Sequence, residues 1–198
     1  AELKEKNIKM DENLAKGLNS EYKIIFDLEY VHLMKMREIK SCASQLAYCY
    51  SLNKTIEVPF AFHFSSYIGE IKEQLEAMGS HNWLVYRHEV PFYENEIFKD
   101  KNLVYLSPDS ENILTEVNKD TTYIIGGFVD RPVSKNRSYY KATNLNIKTA
   151  KLPLEEYMDI SNTVLNINTV VELISEFIVC KDWSEVVKKI IPKRMLKN

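Results

Sequence analysis

The chain has 198 residues, 45% hydrophobic and 27% charged, with a net charge of −2, which bounds it to one soluble globular domain with a sizeable core. No apolar run approaches the roughly 18 residues of a membrane span, and no apolar h-region of a secretory signal marks the amino end. Cys42, Cys49 and Cys180 are odd in number and lack CxxC spacing, so they read as free buried thiols in a reducing compartment, not as a disulfide frame or zinc site.

Residues 1–20 alternate Lys, Glu, Asn and Asp and read as a mobile lead-in, or as a poor helix ending near Gly17. Tyr22–Asp27 is a short apolar run closing on an acid, the pattern of a buried strand. Val31, Met34, Ile39, Ala43, Leu46, Ala47 and Tyr50 then fall near one helical face. Ile56–Phe64 is strand-like, with Pro59 out of place. Ile68–Met78 is amphipathic and stops at Gly79, a carboxyl-cap residue. Asn102–Leu106 is a strand, and Ser107-Pro108-Asp109 offers a cap, a first-turn proline and an acid for a helix after it. Thr121–Gly126 and Lys148–Leu152 are further strands. Thr169 with Glu172 fits a capping box for a helix to about Val179, and Asp182 with Glu185 opens a last helix ending before Pro192.

Strands alternating with helices predict an α/β domain, a parallel sheet with helices on both faces. Ligands of such sheets bind where strand carboxyl ends meet loops, here Ser107–Ser110, Gly126–Asp130 and Leu152–Leu154. Gly126-Gly127 after a strand fits either a tight turn or close backbone approach to a ligand. There is no GxGxxG, no GxxxxGK[ST] and no GxSxG, so dinucleotide, P-loop and serine-hydrolase chemistry have no support. The four histidines lack metal-ligand spacing, and no metal is expected. Charge is segregated: residues 131–151 hold Arg131, Lys135, Arg137, Lys141, Lys148 and Lys151 with no acid, and the last eleven hold five more cations. Two such windows suggest one basic face for a polyanion, against the alternative of a solvated loop and tail.

The ordered motifs YLSPDS, YIIGGFVD, KATNLNIKTAKLPLEEYM, VLNINTVVELI, DWSEVV and IPKR, with IIFDLEYVHLMKMREIKSCASQLAYCY upstream, resemble the tRNA (guanine-N1)-methyltransferases acting at tRNA position nine, a branch of the SPOUT superfamily. The resemblance spans roughly residues 22–194. It implies a SPOUT-type sheet ending in a C-terminal trefoil knot over residues 21–194, with 1–20 as lead-in and 195–198 as a basic tail. It also implies S-adenosylmethionine as methyl donor, 1-methylguanosine at position nine of tRNA as product, and a monomer in the cytoplasm or nucleus, with the mitochondrion left open. The cofactor cradle carried over by position is Leu106, Gly126, Gly127, Asp130, Ala142, Leu152, Leu154, Leu165 and Asn168.

Asp130 matches the family's general base. Guanine N1 carries a proton at neutral pH, and a carboxylate within reach could accept it as the methyl arrives; burial would raise its pKa toward usefulness, whereas Arg131 would oppose that. Asp27 and Gln45 match positions near the target base. Asp27 serves equally as the cap of the helix after it, and Gln45 equally as a surface glutamine. Arg131, Lys135, Arg137, Lys141, Lys193 and Arg194 would meet RNA phosphates, and Tyr139 and Tyr140 would stack on bases. The alternatives are the same reaction on adenine or on both purines, and a non-catalytic tRNA-binding subunit of a processing complex.

Overall fold

The computed structural model describes residues 1–129, 135–159 and 165–195, the last three as backbone alone. In chain order they form α1 (Glu2–Leu18), β1 (Lys23–Asp27), α2 (Met36–Asn53), β2 (Ala61–Ser65), α3 (Gly69–Ala77), β3 (Tyr86–Arg87), β4 (Asn102–Leu106), β5 (Thr121–Gly126), α4 (Arg137–Asn144), β6 (Lys148–Ala150), α5 (Ile167–Cys180) and α6 (Trp183–Met195). The six strands make one sheet in the order β3-β2-β1-β5-β4-β6, and each neighbouring pair is parallel.

In β1, Ile24, Ile25, Phe26 and Asp27 are all buried, as a central strand covered on both faces must be. Because side chains alternate across a strand, Ile24 and Phe26 join Phe62, Phe64 and Ile125 in the larger core, which α2, α3, α5 and α6 roof with Ile39, Leu46, Ile71, Ile174 and Val187. Ile25, Tyr105 and Ile124 face the other way. There Ala142 of α4 and Phe92 and Phe98 of the segment before β4 close a smaller core. Helices thus cover both faces, as expected.

Several boundaries differ from the sequence reading, each for a physical reason. Most of the first twenty residues form a helix, α1, whose second half docks: Asn13 Nδ2 donates to the carbonyls of Asn53 and Ile56 at 2.8 and 2.9 Å, and a Cβ on Gly17 would lie 2.8 Å from the Phe60 carbonyl. β2 begins at Ala61, past Pro59. No helix follows Ser107-Pro108-Asp109; the Asp109 carboxylate instead accepts the N–H of Asn136, at the start of α4, at 2.8 Å. α5 begins at Ile167, ahead of the expected Thr169, because its first free N–H is taken by a side chain from α2. α6 opens at Asp182 as read, whose carboxylate accepts the N–H of Glu185 at 3.2 Å, but it runs through Pro192 to Met195. Cys42 and Cys49 are buried free thiols, whereas Cys180 is exposed; burial pushes the Cys42 thiol up to about 12.

Candidate active site

Parallel strands deliver their carboxyl ends to one edge of the sheet. At β4, β5 and β6 that edge opens into a cleft. Its floor is apolar, from Leu106, Ile125, Leu152, Leu154, Leu165, Ile167 and Val170, and its rim carries Ser107, Ser138, Lys151, Glu155 and Glu156. An apolar slot with a few placed polar groups is the usual make-up of a small-molecule site. All three loops that the strand-end rule singled out contribute.

The two glycines are required by close approach, for neither has a positive φ. A Cβ on Gly126 would meet the Phe128 ring at 2.5 Å, and one on Gly127 would meet the Asp27 carbonyl oxygen at 2.8 Å. The Gly127 N–H donates to that same oxygen at 2.7 Å, tying the exit of β5 to the end of β1.

Of the expected cradle, Leu106, Gly126, Leu152, Leu154 and Leu165 line the cleft. Gly127 stands behind it, against Asp27 and Leu28. Ala142 does not line it; it is fully buried in the smaller core, against the opposite face of the sheet. Asn168, on the first turn of α5 between Ile167 and Val170, is half-buried, and its side-chain oxygen is buried without a hydrogen-bond partner among the described residues. Asp130 and Arg131 lie outside the described residues, as do the side chains of Lys193 and Arg194.

Gln45 is not a free surface glutamine. Its Oε1 accepts the Ile167 N–H at 2.9 Å, so a residue of α2 caps the helix that forms one wall of the cleft.

Asp27 caps no helix; α2 begins nine residues later, where the Glu38 carboxylate accepts the Lys35 N–H at 2.9 Å. Its side chain is fully buried in a network of long-range contacts. The Tyr105 phenol donates to Oδ2 at 2.7 Å, the Lys141 ammonium donates to the same oxygen at 2.7 Å, and the Glu29 N–H donates to Oδ1 at 3.1 Å. Since the Tyr105 proton goes to Asp27, the Tyr30 phenol donates to the Tyr105 oxygen, at 2.7 Å. Burial first, and the Asp27 charge next, push both phenols far above their ordinary value, so both keep their protons and each has one to donate.

Lys141 therefore has a different employment from the RNA contact expected of it. Its ammonium also reaches Glu29 Oε1 at 3.1 Å and lies 4.8, 5.6 and 5.8 Å from the ring centres of Tyr30, Tyr93 and Phe92. Arg137 is half-buried above the Phe128 ring, at 5.5 Å, while Lys135 and Tyr140 are exposed. The sequence reading missed Phe128, Ser138, Glu29, Tyr30 and Tyr105. Only Phe128 had a local signal, its place beside the glycine pair.

A family model described as tRNA (guanine(9)-N(1))-methyltransferase TRM10/TRM10A matches residues 1–196. The tRNA (guanine(9)-N1)-methyltransferase of Schizosaccharomyces pombe is 36% identical over 186 residues, covering 91% of this chain and 61% of that protein. tRNA methyltransferase 10 homolog A of Homo sapiens is 33% identical over 180 residues, covering 89% and 53%. The chain thus spans between half and two thirds of these relatives' length. Among solved structures, that of full-length spTrm10 in complex with SAH matches with a TM-score of 0.80 at 32% identity, covering 89% of this chain and 98% of that one.

Proposed function

Because the chain belongs to the tRNA (guanine(9)-N(1))-methyltransferase TRM10/TRM10A family, we propose that it methylates N1 of guanine at position nine of tRNA, using S-adenosylmethionine. The observation that carries this reading is the convergence of Leu106, Gly126, Leu152, Leu154 and Leu165 on one cleft, from three strand ends and the approach to α5, all separated in sequence. The cleft fits the cofactor chemically. Its apolar floor suits a purine and a thioether chain, and the Asn168 Oδ1, without a partner among the described residues and next to the lining residue Ile167, is an acceptor for an amino group. When bound, S-adenosylmethionine supplies a methyl group on a positively charged sulfur, whose departure takes the bonding electrons.

The protein's share is alignment and proton transfer. Gly126 and Gly127 let the β5 exit lie against Phe128 and Asp27 without a side chain in between. Gln45 holds the α5 wall through Ile167. Asp130 is assigned the N1 proton: as the new N1–C bond forms, the N1–H bond breaks toward its carboxylate. Asp27 is a poor candidate for that step, since the Tyr105 and Lys141 donors already occupy its carboxylate. The C-terminal trefoil knot and a monomeric state belong to the same proposal.

The test is incubation of the protein with labelled S-adenosylmethionine and unmodified tRNA, followed by mass spectrometry of the nucleosides. The expected product is 1-methylguanosine at position nine. Asp130→Asn should lower single-turnover methylation by about 10²–10⁴-fold, with partial recovery at high pH, where solution removes the proton. A folded protein that binds no S-adenosylhomocysteine in calorimetry overturns the reading.

A further inference from the structure

α4 is a two-turn helix of polar sequence, RSYYKATN. A helix this short is not stable by itself, and it buries only Ser138 and Ala142. Beside the packing of Ala142 in the smaller core and of Arg137 on Phe128, its place comes from particular polar ties, of which three join described residues. The Asn136 N–H is held by Asp109 at 2.8 Å, with Asn136 itself in a left-handed conformation at φ 63°. Ser138 Oγ donates to Ser107 Oγ at 2.9 Å, and both serines line the cleft. Lys141, on the next turn from Ser138, reaches Asp27 and Glu29.

The third tie differs from the other two in strength and in surroundings. Asp27 is fully buried at the end of β1, and a buried carboxylate is tolerated only when paired and hydrogen-bonded. Tyr105 and the Glu29 N–H fix its direction, and Tyr30, Phe92 and Tyr93 wall the ammonium that neutralises it. A solvated lysine would follow a shifting helix. One confined between a fixed carboxylate and three rings holds the helix instead.

We propose that Lys141 is a positioning residue: its ion pair with the buried Asp27 sets α4 against the end of β1 and thereby places Ser138 and the wall of the cofactor cleft. The cleft wall is a cofactor wall only on the reading proposed above, so the test has one readout that does not depend on it. The experiment compares the unsubstituted protein with Asp27→Asn/Lys141→Met, which removes both charges of the pair and leaves no uncompensated buried carboxylate, since Glu29 is partly exposed and keeps the Tyr93 phenol as a donor. Melting temperature, S-adenosylhomocysteine affinity and amide hydrogen exchange of residues 136–144 are measured.

The double variant is expected to melt close to the unsubstituted protein, since a neutral pair of similar volume commonly replaces a buried ion pair without loss. Exchange should quicken in 136–144 and not in β1 or α5, and affinity should fall about tenfold or more. Unchanged exchange in 136–144, or unchanged affinity, would overturn the proposal and leave the pair a contributor to stability alone. If the double variant does not fold, Lys141→Gln, which removes the cation of the pair and keeps a neutral polar side chain, takes its place under the same criteria. Failure of the unsubstituted protein to bind S-adenosylhomocysteine would overturn the proposed function instead, and exchange in 136–144 would still decide whether Lys141 holds α4.

Discussion

Gly126 and Gly127 are neighbours with different constraints, and alanine at each should fail differently. At Gly127 the added Cβ would lie 2.8 Å from the Asp27 carbonyl oxygen and 2.7 Å from Leu28 Cδ2. Leu28 is buried and the carbonyl is backbone in the central strand, so neither yields cheaply. The loop must back away by several tenths of an ångström, which strains the 2.7 Å Gly127-to-Asp27 hydrogen bond. Overpacking of a tight site costs about 1–3 kcal/mol and a hydrogen bond about 1 kcal/mol, so Gly127→Ala should lose about 2–4 kcal/mol. At about 2–4 °C per kcal/mol for a domain of this size, the melting temperature falls by about 4–16 °C. At Gly126 the clash is with the Phe128 ring, at 2.5 Å, a side chain that can swing and that itself lines the cleft. Gly126→Ala should therefore cost less stability than Gly127→Ala and more S-adenosylhomocysteine affinity. Calorimetric melting of both variants, with and without S-adenosylhomocysteine, checks the pair. A Gly127→Ala protein melting within about 2 °C of the original, or the reverse order of the two losses, would refute the close-approach argument.

Three further outcomes follow from interactions in the fold. Burial first, then His88, pulls His63 down to about 3, so the unfolded chain binds its proton more readily. The stability this confers is fully present above about pH 6.5 and declines as pH falls toward 3, amounting to about 2 kcal/mol between pH 7 and 5. Urea unfolding at those two pH values should show it, and a His63→Phe protein with the same pH slope would disprove the source. Gln45→Ala removes the acceptor of the Ile167 N–H; removal of such a cap costs about 0.5–2 kcal/mol and should weaken S-adenosylhomocysteine binding through Ile167 and Val170, so unchanged affinity counts against a cleft wall set by α2. Affinity for tRNA should drop steeply with salt, and Lys135→Glu with Arg137→Glu should flatten the slope by about 0.7–0.9 for each phosphate no longer neutralised; a slope unaffected by both reversals rules out that face.

What the sequence disclosed, and what it hid, divides by the range of the interaction concerned. β4 and β5 were legible to the residue because a short apolar run between turn residues needs no knowledge of its neighbours to be read as a buried strand. The cleft was legible for the same reason: strand ends locate ligand sites, and the resemblance named residues at those ends. α4 was not legible. Its buried face is Ser138 and Ala142, which leaves no apolar period to detect, and its ties run to Asp109, Ser107 and Asp27. The caps misled in an instructive way. Asp109 does satisfy a free helix N–H, but that of α4, 27 residues on, and α5 takes its cap from Gln45, 122 residues back; capping chemistry announces a side-chain acceptor without saying whose N–H it meets. Lys141 shows the same limit for charge. Within 131–151 it is one of six cations with no acid near it in sequence, so a solvated basic face was the natural reading, yet its carboxylate partner Asp27 lies 114 residues away. Asp27 supplied the complementary clue. An acid closing an apolar strand is headed for burial, and a buried carboxylate demands a cation. Burial thus requires that a partner exist; only the fold, by bringing α4 back across the end of β1, makes that partner Lys141.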